Sequence, residues 1–179
     1  MSAKVKYKTL YKYVSTEYLV DILQNERLFL SDVQRFNDPF ELIYIDKLEG
    51  TTKLISGLHI LCLTNSRSKK LMWSHYADSH KGVCLAVQVP LEYVFPICYT
   101  RKRLYSDSVL NDLIYEAPKI KQSIKEVMCT LPDRKKAAYI KDKKWSDERE
   151  YRIVLDEEEI ANCKYVEVDK NLLFYKVKI

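Results

Sequence analysis

"LMWSHYADSHKGVCLAV", residues 71–87, gathers a tryptophan, a tyrosine, two of the chain's three histidines and one of its three glycines. Its reading as helix, turn and strand sets the fold class. Leu71, Met72, His75 and Tyr76 share one face of a helix expected over 69–78, with Ser68 as its cap and Trp73 pointing elsewhere. Lys81-Gly82 then returns the chain into an extended apolar segment, "VCLAVQV", where Gly82 is expected to supply a positive φ. The shared face can simply pack on a sheet while Trp73 covers an edge. Alternatively His75 and Tyr76 line a pocket, with an aromatic ring ready to stack on a flat ligand.

Working outward, the segment before this stretch, "HILCLTN", is continuously apolar and reads as a central strand, with His59 an ordinary member of it. "KTLYKYV" alternates as a first strand, and Ser15 or Thr16 can cap a helix over 16–26 whose Leu19, Ile22 and Leu23 share a face. "RLFLSD" reads as a short strand, and "RFNDPFE" as a corner pinned by Phe36 and Phe40. Beyond 71–87, "ICYT" is a short strand. Residues 108–143 read as helical with breaks at Pro118 and Pro132, the latter suited to a first helical turn. "EREYRIVL", "KYVEV" and "LLFYKVKI" close the chain as strands. The expected architecture is α+β: a single domain over 1–179, two small, mostly antiparallel sheets around a cleft, and a helical insertion at 104–144.

Composition bounds the function classes. At 179 residues with 47% hydrophobic and 31% charged residues, the chain is sized for one folded domain with a proper core. No run of eighteen apolar residues offers a membrane span, and "MSAKVKYKTLYKY" lacks the apolar region of a secretory signal. Five cysteines without a CxxC pair argue against a disulfide framework or zinc knuckle, so a reduced, cytoplasmic protein is expected. The net charge of +5 permits an anionic partner without demanding one; the basic runs at 101–103 and 134–144 leave nucleic acid as one option. The His75/His80 spacing fits no usual metal-ligand pattern, so no metal is expected.

The second informative stretch is "KKWSDEREYRIVL". On an extended chain Glu148, Glu150 and Arg152 project to one side, with Tyr151, Ile153 and Leu155 opposite. Such a face can be solvated and laced with cross-strand ion pairs. Two carboxylates at a strand mouth can also divide a job, one bonding a ribose hydroxyl and the other orienting or deprotonating an attacking group. With three glycines and no G-x-G-x-x-G, P-loop or G-x-S-x-G, the chain has no glycine-rich phosphate cradle.

Taken in order, "LYKYVSTEYLVDILQNERLFLSDVQRFNDPFE", "LCLTNS", "LMWSHYADSHKGVCLAV" and "WSDEREYRIV" resemble the hallmark segments of a prokaryotic and phage family, the domain of unknown function numbered 2971. The resemblance runs from about residue 10 to 155, with an unmatched stretch at 104–140. By motif order that family looks like a divergent branch of the ADP-ribosyltransferase superfamily. The resemblance implies NAD as substrate, held in a cleft without a glycine-rich loop. It makes Glu150 and Glu148 the catalytic residues, in the late E-x-E position: Glu150 holding the nicotinamide ribose and stabilising charge at the anomeric carbon, Glu148 positioning the acceptor. Lys12, Tyr13, Thr64, Ser66, Tyr76 and His75 would bind the nucleotide, Tyr76 by stacking, with Asn37, Asp38 and Glu41 as further contacts. Lys12 stands where such enzymes carry a His, and a Lys donates hydrogen bonds but lacks neutral imidazole geometry. The implied activity is ADP-ribosyl transfer to a protein or nucleic acid, or NAD hydrolysis, in phage–host conflict. The alternative is a catalytically inactive nucleotide- or protein-binding module on the same fold.

Overall fold

The computed structural model describes residues 6–25, 28–32, 36, 41, 43–46, 51–101, 109–162 and 175–176. The elements run β1 (Tyr7–Val14), α1 (Thr16–Asn25), β2 (Ser31–Asp32), β3 (Ile43–Asp46), β4 (Thr51–Leu54), β5 (Leu58–Thr64) and α2 (Lys70–Tyr76). There follow β6 (Val83–Pro90), β7 (Phe95–Pro96), β8 (Cys98–Thr100), α3 (Leu110–Glu116), α4 (Gln122–Thr130) and α5 (Asp133–Ala137). Last come β9 (Ile140–Asp142), a 3₁₀ turn over Lys143–Glu148, β10 (Glu150–Asp156), α6 (Glu157–Asn162) and β11 (Tyr175–Lys176).

The fold is α+β, built on one main sheet in the order β11-β6-β1-β5-β10-β7, with β2 also pairing β5. The pairings are antiparallel except β11 with β6. Two ribbons stand apart, antiparallel β3–β4 and parallel β8–β9. The expected two small sheets are therefore corrected to one principal sheet, because β1 and β5 are joined. The junction is minimal: a single partnership, Tyr11 with Thr64. β10 covers one edge of β5 along its full length, while the other edge is shared by β1 at Thr64 and β2 at His59 and Ile60. A gap remains between them at residues 61–63, and the Lys12 ammonium donates into it, to the Cys62 carbonyl at 3.1 Å.

β5 is central, as its apolar run leads one to expect. Its even positions, Leu58 and Ile60, join Val154 in a core roofed by Leu110, Leu113 and Ile114 of α3 and Met128 of α4. Its odd positions, Leu61 and Leu63, pack with Leu10, Val14, Val87, Val89 and Ile153 beneath Ile22 of α1. Each fully buried aliphatic side chain contributes about 1.5–3 kcal/mol. Leu23 departs from the expected α1 face and is exposed. Ser15 does hold the start of α1, accepting from the Tyr18 amide at 3.3 Å.

Among the described residues the insertion resolves into three short helices broken at the two prolines. It ends in strand β9 rather than helix, and Pro132 caps α5 rather than occupying its first turn. The "RLFLSD" strand shrinks to Ser31–Asp32. "KYVEV" and most of "LLFYKVKI" lie outside the described residues.

Around 71–87, helix, turn and strand form as read, with two corrections. Lys69, not Ser68, precedes the helix, and no side chain caps it. Left-handed backbone falls on Asp78, Ser79 and His80 (φ 44, 51 and 73) rather than on Gly82. Gly82 is needed for close approach: a Cβ there would stand 2.2 Å from the Val14 carbonyl oxygen. Trp73 is structural, its ring edge-to-face with Tyr13 at 5.2 Å and its indole N–H donating to the Arg67 carbonyl at 3.1 Å.

Candidate functional site

A cavity of about 470 Å³ opens beside the β1–β5 gap. Cys62, Glu150 and Arg152 reach it from one face of the sheet, Leu63 and Ile22 from the other. Paired residues of antiparallel strands point to the same side, so the Glu150–Thr64 and Arg152–Cys62 partnerships fix both charged side chains on one face. That face is not solvated. Arg152 is 0%, Glu148 1% and Glu150 5% exposed.

Glu148 arrives by a route the alternation rule does not describe. It ends the 3₁₀ turn, and Arg149 after it is left-handed at φ 49 and ψ 47. This one residue reverses the chain so that its two neighbours both face inward. β5 braces the corner: Thr64 donates its hydroxyl to the Glu148 carbonyl at 2.6 Å, and the Asn65 amide donates to the Arg149 carbonyl at 3.3 Å.

The carboxylates meet on cations. Lys141, from β9 at the end of the insertion, lies 2.8 Å from Glu148, 3.0 Å from Glu150 and 3.5 Å from Glu41. Arg152 donates its Nε to Glu150 at 2.7 Å, an Nη to the Ala138 carbonyl at 2.7 Å, and its other Nη to both Glu41 and Glu150. Burial pushes the Glu150 carboxyl up, but the charges of Arg152 and Lys141 outweigh it and hold the group down at about 2. Burial likewise lowers Lys141, and Glu150, Glu41 and Glu148 more than reverse it, so its ammonium is held well above the ordinary lysine range. Glu150 is thus a permanent anion of low basicity, able to stabilise a cation and ill suited to taking a proton.

Two phenols bond Glu148 and Glu150, and of these Tyr76 lines the cavity. Tyr76 donates to Glu148 at 2.7 Å, and the Tyr99 hydroxyl accepts from the Glu150 amide at 2.8 Å. Burial raises both phenols, so both stay protonated. His75 stands edge-to-face against Tyr76 and Trp145, with centroids 6.1 and 6.3 Å apart. Cys62 lines the cavity with its thiol pushed up to about 12 by burial first and the Glu150 charge second.

Of the residues singled out in the sequence, Glu148, Glu150, Lys12, Tyr13, Tyr76, His75 and Glu41 line this cavity. Tyr13 also spends its hydroxyl on the Ser66 carbonyl at 3.0 Å. Thr64 and Ser66 are not among its lining residues; Thr64 is buried and clamps the Glu148 corner instead. Asn37 and Asp38 lie outside the described residues. Sequence reasoning missed Lys141 and Trp145, and gave Arg152 no role in the site. The one signal for Arg152 was its place in the Glu-x-Glu-x-Arg alternation. Much of the basic run at 134–144 is engaged internally: Lys135, Lys136 and Lys141 are buried on carboxylates. The four described cysteines are free thiols. No helix among the described residues is long and apolar enough to cross a membrane.

Residues 72–153 match the model of a family described as a protein of unknown function (DUF2971). The match takes in α2 from Met72 onward, the insertion, both carboxylates, Lys141 and Arg152, while Lys12 and Glu41 fall outside it. No curated protein and no solved structure matches the chain.

Proposed function

We propose that the cavity binds a nucleotide and breaks its N-glycosidic bond, with NAD the substrate that the resemblance to ADP-ribosyltransferases names. The observation that carries this is the pair of buried carboxylates, Glu148 and Glu150, presented from one corner to an aromatic-walled cavity. As the C–N bond breaks, its electron pair goes to the departing nicotinamide and positive charge builds on the anomeric carbon. Glu150, ionised and fixed by Arg152, stabilises that charge without reorganising. Glu148, steadied by Tyr76, orients the incoming water or acceptor hydroxyl and takes its proton as the C–O bond forms. The acceptor is water, a protein or a nucleic acid, and conflict between phage and host is the setting the resemblance implies. The test is nicotinamide release from NAD, with the purified chain alone and with candidate acceptors. Release is expected, and lost in Glu148→Gln and in Glu150→Gln, with circular dichroism confirming folded variants. No release by the native chain with any acceptor would overturn the reading.

A second reading, a binding module without turnover, is favoured by a specific observation. Both Glu150 oxygens are engaged by Arg152 or Lys141, and Lys12 gives its ammonium to a backbone carbonyl. Calorimetry with NAD, ADP-ribose and nicotinamide separates the two, since binding of intact NAD without product formation selects the module.

A further inference from the structure

Beside the cavity, two neighbouring segments carry a concentration of positive charge at the surface. The link from β5 into α2 holds Arg67, Lys69 and Lys70. The 3₁₀ turn and the corner after it hold Lys143, Lys144 and Arg149. The fold keeps these segments side by side: the Asn65 amide donates to the Arg149 carbonyl at 3.3 Å, and Lys69 pairs with Asp147 at 3.4 Å. Arg101 joins them, one residue past the partnership of Thr100 with Asp142 that ends β8 on β9. All of these basic residues except Lys69 are exposed. The acidic residues within the two segments are Asp142, Asp147 and Glu148, and Glu148 is buried against Lys141. Trp145 and Glu148 of the turn and His75 of α2 line the cavity, so the basic surface reaches its rim.

A surface of this kind complements a polyanion. Cations set against a row of phosphates release condensed counterions, which supplies affinity without a shaped pocket. Asn65, Ser68 and Ser146 stand exposed among the cations, and such side chains share phosphate contacts with Arg and Lys. A lipid surface fits less well. The large exposed apolar side chains among the described residues all lie outside these segments, and a membrane-binding face buries apolar groups. A duplex fits less well too, because its major groove admits a projecting helix or ribbon. Here α2 is seven residues long and packs inward, Met72 against Tyr13 and Tyr76 onto Glu148.

We propose that this rim is a docking surface for single-stranded nucleic acid, whose phosphates lie along the two segments and lead a nucleotide to the cavity mouth. This names the acceptor class that the functional reading left open, and rests on that reading only in taking the cavity as the reacting centre.

Fluorescence anisotropy tests it with the full chain and labelled mixed-sequence single strands of about 20 nucleotides, long enough to span such a site. RNA and DNA strands are expected to bind alike, since both present the same phosphates, and more tightly than a duplex of the same length. Affinity should fall steeply as salt is raised. Replacing exposed Arg67, Lys70 and Lys143 together by alanine should weaken binding at least tenfold and make the salt slope shallower by about two. A control removes three exposed cations outside these segments: Lys6→Ala, Lys119→Gly (at φ 67, which glycine accepts) and Lys121→Ala. It should bind within about threefold of the native chain, as the loss of unspecific attraction alone allows. Thermal unfolding confirms that both variants fold.

No binding of either strand at low salt, equal losses in the two variants, or a duplex bound as tightly as the single strand would each overturn the proposal. So would tighter binding to phosphatidylglycerol vesicles or to polyglutamate, which would assign the surface to a membrane or to an acidic protein. Strand binding by a chain that releases no nicotinamide from NAD removes the glycosidic reading and leaves this one standing. Release to water by a chain that binds no strand does the reverse.

Discussion

The Tyr76 hydroxyl donates to Glu148 Oε1 at 2.7 Å across 72 positions of sequence. It ties the helix after the central strand to the corner that precedes β10. Because burial keeps the phenol protonated, it acts as a donor throughout the usable pH range. Tyr76→Phe removes that donor without creating a void, and should cost about 2 kcal/mol, typical for a hydrogen bond to a charged group. The check is urea unfolding, where the midpoint should fall with an unchanged slope. A midpoint equal to the native one would mean the contact adds nothing to stability.

Glu150 makes stability depend on acid. Its carboxyl titrates near 4.5 when unconstrained and at about 2 in the fold. A depressed folded value means the contribution is complete above 4.5 and is lost as pH falls toward about 2. Unfolding free energy measured across that window should decline steeply for the native chain and less steeply for Glu150→Gln. At neutral pH the same variant should lose about 3–5 kcal/mol, since Arg152 and Lys141 lose one of their shared anions. Equal slopes for the two proteins would assign acid sensitivity to other carboxylates.

Gly82 and Gly57 should respond to alanine for different reasons. At Gly82 the new methyl meets backbone atoms of Val14 and Ala77 at 2.2–3.0 Å, so strand or helix must shift, at about 3 kcal/mol. At Gly57 there is room, the nearest atom being Glu157 Oε1 at 3.9 Å. Only its φ of +67° opposes a side chain there, costing about 1 kcal/mol. Thermal unfolding of both variants measures the order, and a Gly57 variant less stable than the Gly82 one would contradict it.

Burial pushes the Cys62 and Cys98 thiols up to about 12. At pH 8 fewer than about one in a thousand of either would be the reactive thiolate. Iodoacetamide at that pH followed by peptide mass spectrometry should leave both unmodified in the folded protein and modify both in urea. Rapid labelling of native Cys62 would show that the cavity wall opens.

Much of this arrangement was legible in local pattern. The apolar run within "HILCLTN", Ile60 to Leu63, identified the central strand, because a strand covered on both faces needs no alternation. Glu150 and Arg152 on one face followed from period two. Glu148 was assigned to that face for the wrong local reason, since the left-handed Arg149, rather than strand pleat, turns it inward. A non-glycine residue in that conformation leaves no compositional mark. The choice between a solvated and a buried charged face was not readable either. It depends on Lys141, brought from β9, and Glu41, 111 positions from its partner Arg152. Neither contact leaves a periodicity. The expected separation into two sheets failed on a single β1–β5 partnership, a feature too small for any window of sequence to report.

The insertion has a consequence for relatives of this chain. Its final strand, β9, delivers the ammonium shared by Glu41, Glu148 and Glu150. Deleting the segment would leave three enclosed carboxylates facing one guanidinium, an arrangement too repulsive to inherit unchanged. Homologues that have shed these helices should therefore also have exchanged Glu41 or Glu148 for an uncharged residue, so loop length and acid count would vary together among them.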